Sequence, residues 1–574
     1  MPAASATLRI CFADIGRSRL NGSLTLRCAG IGRQFARLQG TRQGAGATRR
    51  IYRSCGVNAG IVNRRESRVV ALCVDAMSLD FVRQHLDRLP TFERLLADGA
   101  TRSLSSSADR LTASVWATFA TGEAPGAHGH YYPFQWTADA MGFDRTSSAA
   151  MRQRLHIEPF WYDLARRDVQ TIAFDPGTSN DASLAPHTEI INWCYQSTGN
   201  ASGSSPELLR ALRRRFGHRP IGKEVPVPKT LQHSRAIRDA LVKAIELKGE
   251  ATLWLMDREP WRFFLAGFYE VHRAGHNLLV VEGEYGSQAD PDALLAVYEA
   301  QDRALQKIIA HADDGNTTFV VFSLHGMVPN WSQEHFLDAI MDRLNDAWFV
   351  GRGGKPKPIR KANLMAQARG LIPARAQYAL AYLLGEHVQD WVVNRGIVGG
   401  RNWTHTPAFR FASGGEGYLR LNLKGRERDG CLEQSDVAGY VAWLKARLLE
   451  IRVDGTGAPL IKDVFEARTL YPGERTGFLP DLIIAYAPGE PVGAVESPAI
   501  GQLTATLATG RGGNHSGDAF MTVMGPGSAH AALADVDDIR DIRTFIESLL
   551  IAPSEGRDQS AGQPGVFAPL LADA

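Results

Sequence analysis

The sequence predicts an α/β protein: a mostly parallel central sheet with helices on both faces and helical cap insertions. Three observations carry this expectation. Short apolar runs end abruptly in an acid or a histidine, helical patterns alternate with those runs, and the length of 574 residues, 44% of them hydrophobic and 22% charged, is enough for one large sheet.

The chain opens on an arginine-rich stretch. Residues 1–65 hold 12 arginines, no lysine and one acid, Asp14, against a whole-chain charge of only +3, so the remaining body is net acidic. Arginine, glycine and serine without a hydrophobic leader read as a disordered basic extension over 1–66, transit-peptide-like in composition, rather than an arm for a nucleic-acid polymer. The six cysteines, Cys11, Cys28, Cys55, Cys73, Cys194 and Cys431, lack CxxC spacing, which points to a reducing compartment and a cytoplasmic location. No run approaches the roughly 18 apolar residues of a transmembrane helix.

The first strand expected is RVVALCVDAM, from Arg68 to Met77, an unbroken apolar run ending at Asp75. In open α/β sheets such strand ends line the ligand crevice. LPTFERLLADGA follows as a helix with Leu89, Phe92, Leu95 and Leu96 on one face and Gly99 as its stop. Further strands are expected in FFLAGFYE (263–270), TFVVFSLH (318–325), DLIIAYA (481–487) and AFMTVMG (519–525), with a helix over 292–312. Two segments of different character, near 200–250 and 330–400, read as insertions that cap a site. The expected organisation is therefore the extension over 1–66, a catalytic domain over 67–550 carrying both insertions, and a tail over 551–574.

Chemistry-bearing residues collect at the strand ends. YEVHRAGH delivers Glu270, His272 and His276 directly after an apolar run, and the i, i+4 spacing of the histidines puts both imidazoles on one face if the segment is helical. Gly275 leaves a turn equally open. His325 ends another run, and His515 lies among Gly512, Gly513 and Gly517. Imidazoles with nearby carboxylates suit zinc, manganese or iron. Hydroxyl nucleophiles are offered by LTASVWATFATGEAPGAHGHYY (111–132), where Thr112, Ser114, Thr118 and Thr121 are not ranked by composition.

Taken together, VALCVDAM, LPTFERLLADGA, LTASVWATFATGEAPGAHG, YEVHRAGH, VVFSLHGM, GYLRLNLKGRE, PDLIIAY and GGNHSGDAFMTVMGPG resemble the alkaline phosphatase superfamily. The resemblance is to its type I phosphodiesterase/nucleotide pyrophosphatase branch and its predicted phosphohydrolase/phosphomutase relatives, in the same order over residues 68 to 545. It implies a metal-dependent phosphohydrolase of the phosphodiesterase kind, acting on a phosphorylated small molecule through one or two divalent ions, zinc foremost. Carried over by position, Thr112 is the nucleophile, nine residues before Thr121, and Asp75, His276, His325 and His515 are metal ligands. Two positions depart: His272 stands where relatives have the aspartate of DxxGH, and Leu324 where they have the aspartate of SDHGM. The first substitute can bind metal and the second cannot, so Glu270 is the candidate replacement carboxylate. A phosphomutase on the same fold, and a non-catalytic binding protein motivated by Leu324, are the alternatives. A sulfatase is excluded by the lack of a CxPxR nucleophile.

Overall fold

The computed structural model describes residues 67–178, 181–195, 200–222, 229–279, 290–356, 386–506, 510–526 and 533–551. The basic extension, the tail beyond 551 and the middle of the second insertion lie outside them.

Among the described residues the main sheet has eight strands: β1 (Arg68–Val74), β2 (Ala100–Leu104), β3 (Thr171–Phe174), β4 (Thr188–Ile191), β5 (Ser202–Gly203), β6 (Phe263–Phe268), β7 (Thr317–Ser323) and β8 (Ala519–Met524). Their spatial order is β2-β8-β7-β1-β6-β3-β4-β5. The run from β7 to β4 is parallel throughout, with β1 at its centre paired to β6 and β7. Strands covered on both faces need apolar residues at every position, which is why RVVALCV, FFLAGF and TTFVVFS read as continuous runs and are buried. The edges turn mixed: β8 runs antiparallel to β7 and β2, and β5 antiparallel to β4.

Helices lie on both faces. α1 (Val115–Thr121), buried at every residue, packs near Asp541–Leu550, while α2 (Leu231–Arg258), α3 (Glu270–Leu278) and α4 (Ala293–Ala312) pack against one another. The segment expected as a cap near 200–250 is thus largely part of the main layer. Leu241, Ala244, Ile245 and Leu255 of α2 share one core with β1 and β6.

The expected strand at 481–487 forms at Leu482–Tyr486 but in a different sheet. There it pairs antiparallel with Gly417–Leu421 and Ile461–Glu466, over a second core that includes Leu337, Leu344, Leu419 and Leu444. Apolar periodicity marks a strand as buried without naming the layer that buries it. The second insertion contributes Leu337–Gly351 to this second core.

Candidate metal centre

The three central parallel strands deliver their next residues to one place. Asp75 directly follows β1, with its backbone N–H on the Phe268 carbonyl of β6 at 2.9 Å. The chain leaving β6 turns at Tyr269 into α3, which carries His272 and His276 on one face, so the segment left open as helix or turn is a helix. His325 lies two residues beyond β7, and His515 sits on the strand Gly513–Ser516, opposite Met327 in a two-stranded ribbon with Gly326–Pro329.

The ribbon lies directly on α3 because both touching positions are glycine. A Cβ on Gly275 would meet Met327 at 2.8 Å, and one on Gly513 would meet the Gly275 carbonyl oxygen at 2.4 Å. This close approach lets His276 Nδ1 reach the Gly513 carbonyl at 2.8 Å and Gly512 N–H reach the His276 carbonyl at 3.0 Å. Alanine in place of Gly513 would meet the Gly275 backbone and push the His515 strand off α3.

Three ring nitrogens then converge. His272 Nε2 is 3.0 Å from His276 Nε2 and 2.9 Å from His515 Nε2. The proton positions follow from their partners. The Gly513 carbonyl only accepts, so His276 Nδ1 carries hydrogen; Asp75 Oδ2, 2.5 Å from His272 Nδ1, likewise accepts. In the neutral rings both Nε2 atoms therefore present lone pairs to each other. Such an arrangement is repulsive unless a proton or a cation lies among them. Burial pushes the His276 and His515 imidazoles below their usual range, which disfavours the proton. The donor set is thus one that fits a divalent metal of the zinc type. Two groups with metal-binding potential are present among the described residues, His272/His276/His515 and Asp75/His272/His325, and they share His272.

Asp75 is the electrostatic counterweight. Burial alone would raise its carboxyl, but the neighbouring His325 and His272 outweigh burial and hold it well below the usual carboxylate range. Its second oxygen accepts from Trp116 Nε1 at 3.2 Å and faces His325 Nε2 at 3.6 Å. For His325, burial acts downward, yet the Asp75 charge dominates and lifts the imidazole above its ordinary value.

Thr112 is buried at the start of the short 3₁₀ turn Thr112–Ser114 that feeds α1. Its hydroxyl donates to the Ala108 carbonyl at 2.7 Å and also interacts with the carboxylate of Glu416. Ser114 instead bonds Leu111 and Ser107, Thr118 bonds His128, and Thr121 bonds Ala117, so the other hydroxyls of the segment are engaged in local structure.

Glu270, expected as a replacement carboxylate, belongs to neither metal-binding group. Its Oε1 accepts from Cys194 Sγ at 3.0 Å and its Oε2 from Tyr269 N–H at 3.0 Å. As the first residue of α3 it starts on a different face from His272 and His276, and it enters a buried network with Cys194, Lys248 and Asp175. Leu324 is fully buried in the main apolar core.

Glu416 is the residue that sequence reading missed. It stands one position before the GYLRLNLKGRE stretch, in a glycine-rich turn that offers no periodic signal. Its Oε1 lies 3.8 Å from His515 Nδ1. Burial would raise this carboxyl, but the interactions with His515 and Thr112 bring it down to about 2. Beside it a small hollow of about 10 Å³, room for about one water, is lined by Asn330, Ser332, Glu334, Gly415, Arg511 and Asn514. Arg511 Nη1 donates to the Gly414 carbonyl at 3.1 Å, and its charge reaches His276.

With this geometry in place, the chain can be set beside known proteins. The family model for type I phosphodiesterase / nucleotide pyrophosphatase matches residues 69–499. No curated protein matches the chain. Phosphonoacetate hydrolase from Sinorhizobium meliloti 1021, solved with phosphonoacetate, is 13% identical with a TM-score of 0.47, the match covering 84% of this chain and 96% of that one. Wild-type alkaline phosphatase PafA is 14% identical with a TM-score of 0.46, over 84% of this chain and 95% of that one. Murine ectonucleotide pyrophosphatase / phosphodiesterase 5 in complex with AMP is 11% identical with a TM-score of 0.41, again over 84% and 95%.

Proposed function

The chain belongs to the type I phosphodiesterase / nucleotide pyrophosphatase family, and from that premise we propose that it is a metal-dependent phosphodiesterase with Thr112 as nucleophile and a single ion held by His272, His276 and His515. Family membership makes it a hydrolase of phosphoric ester bonds on phosphorylated small molecules. The convergence of three Nε2 atoms at 2.9 to 3.0 Å carries the metal reading.

A single ion is favoured by the chemistry of His272. Its Nδ1 hydrogen is already given to Asp75, so the ring can offer a metal only Nε2, and the second grouping loses one of its three donors. Leu324, apolar and buried, supplies nothing in its place. Three neutral imidazoles favour zinc, with manganese or iron as alternatives.

A divalent ion bound by these nitrogens supplies Lewis acidity that neutralises charge on the phosphoryl oxygens. The chain's own residues do the rest. Asp75 orients His272, and Trp116, four residues after Thr112, ties the nucleophile segment to Asp75. Thr112 Oγ1 attacks phosphorus in line as its proton passes to water; the bond from phosphorus to the ester oxygen breaks, that oxygen leaves and takes up a proton, and water then hydrolyses the phosphothreonine to restore the hydroxyl.

The test is metal content by mass spectrometry on protein purified without chelator, wild type beside His276→Ala, followed by turnover of bis(p-nitrophenyl) phosphate. Zinc near one equivalent that falls in the variant, with metal-dependent turnover, is the expected result. No metal in either protein after reconstitution would replace this reading with that of a binding protein. Release of an isomeric phosphate ester in place of free phosphate from a monoester would indicate a mutase.

A further inference from the structure

We infer that Glu416 is the positioning residue that turns His515 toward the metal position. The inference rests on the metal-centre reading above and adds a residue to it.

A histidine that binds metal through one nitrogen donates its other N–H to an acceptor, which sets the tautomer and the ring orientation. The histidines here follow that pattern with one exception. His272 Nδ1 is on Asp75, His276 Nδ1 on the Gly513 carbonyl and His325 Nδ1 on the Gly326 carbonyl at 3.1 Å. His515 Nδ1 is buried with no partner at hydrogen-bonding distance. The group facing it is Glu416 Oε1, at 3.8 Å. A closure of about 1 Å turns that approach into a charge-assisted hydrogen bond.

Glu416 is built to make that contact. Its other oxygen, Oε2, accepts the Gly414 N–H at 2.7 Å, which anchors the carboxylate from behind. The strand that follows it, Gly417–Leu421, is buried at every residue and paired on both sides, so the backbone bearing Glu416 is held in register. Gly415, at φ +128°, takes a conformation that L side chains rarely adopt and so permits the tight approach of Gly414 N–H to the Glu416 side chain.

The test uses full-length protein stripped of metal and titrated with cobalt(II), read by visible absorption and by competition with a chromophoric chelator. Wild type, Glu416→Gln and Glu416→Ala are compared. Glu416→Ala is expected to bind about 10- to 100-fold more weakly with an altered absorption band, as outer partners of metal-bound histidines do when removed. Glu416→Gln keeps an oxygen that accepts from Nδ1–H but lacks the charge, so its affinity falls between the two. Affinity and spectra equal to wild type in both variants overturn the inference while leaving the metal centre standing. If Glu416→Ala fails to fold, a wild-type affinity in Glu416→Gln overturns it alone. Absence of cobalt binding by wild type fells the metal-centre reading itself, which separates the two failures.

Discussion

Asp75 and His272 share a 2.5 Å contact between Oδ2 and Nδ1 that joins the end of the central strand to the first histidine of α3. Both groups are buried, and the remaining oxygen of Asp75 is occupied by Trp116 Nε1. In this arrangement Asp75 sets which nitrogen of His272 faces the other imidazoles. Asp75→Asn keeps the shape and removes the charge. Metal affinity should fall by about 10- to 100-fold, checked by competition titration with zinc. An unchanged affinity would mean that Asp75 does not govern the His272 tautomer.

Metal binding should be visible as stability. Zinc that binds only the folded chain raises its stability by about 2.7 kcal/mol at a free concentration 100 times Kd. Calorimetry of the stripped protein should show the melting temperature rising with the first equivalent and levelling there. A second stoichiometric step would establish two tight sites and remove the single-ion proposal.

In the proposed mechanism Thr112 is the nucleophile and does not hold the ion. Thr112→Ala should lower phosphodiester turnover by on the order of 10³-fold or more, with zinc affinity within a few-fold of wild type. Thr112→Ser retains an attacking hydroxyl and should recover part of the rate. Equal turnover in wild type and Thr112→Ala would pass the role of nucleophile to another group.

Glu189 on β4 gives a pH dependence remote from the centre. It is fully buried, and although Tyr162 and Trp161 donate to it at 2.8 and 3.2 Å, desolvation prevails and lifts its carboxyl to about 7. The folded chain therefore holds this proton more tightly than the unfolded one. The associated stability is complete below about pH 4.5 and is lost as pH rises to 7, by about 3 kcal/mol. His187, 3.9 Å away and lowered by burial to about 4, has the opposite slope between about 4 and 6.5. Comparing Glu189→Gln with wild type in denaturant melts from pH 4.5 to 8 isolates the Glu189 part. The variant should gain relative stability as pH rises, and a constant difference would show that Glu189 is ionised throughout.

The central elements follow from local pattern. The runs at β1, β6 and β7 are unbroken because strands covered on both faces leave no position for water, and that periodicity is local. Asp75, His272, His276 and His325 were legible for the same reason, each standing at or just beyond the carboxyl end of such a run. Only tertiary structure decided which nitrogen of each histidine faces the others, since the partners that fix the tautomers, Asp75 and the Gly513 carbonyl, are 197 and 237 residues away. It also assigned Leu482–Tyr486 to a second sheet and turned Glu270 onto Cys194. Glu416 came to His515 from a glycine-rich turn, where neither spacing nor periodicity carries information. Sequence pattern records what a residue must be buried from, whereas a site is made by contacts between segments whose separation the pattern does not encode.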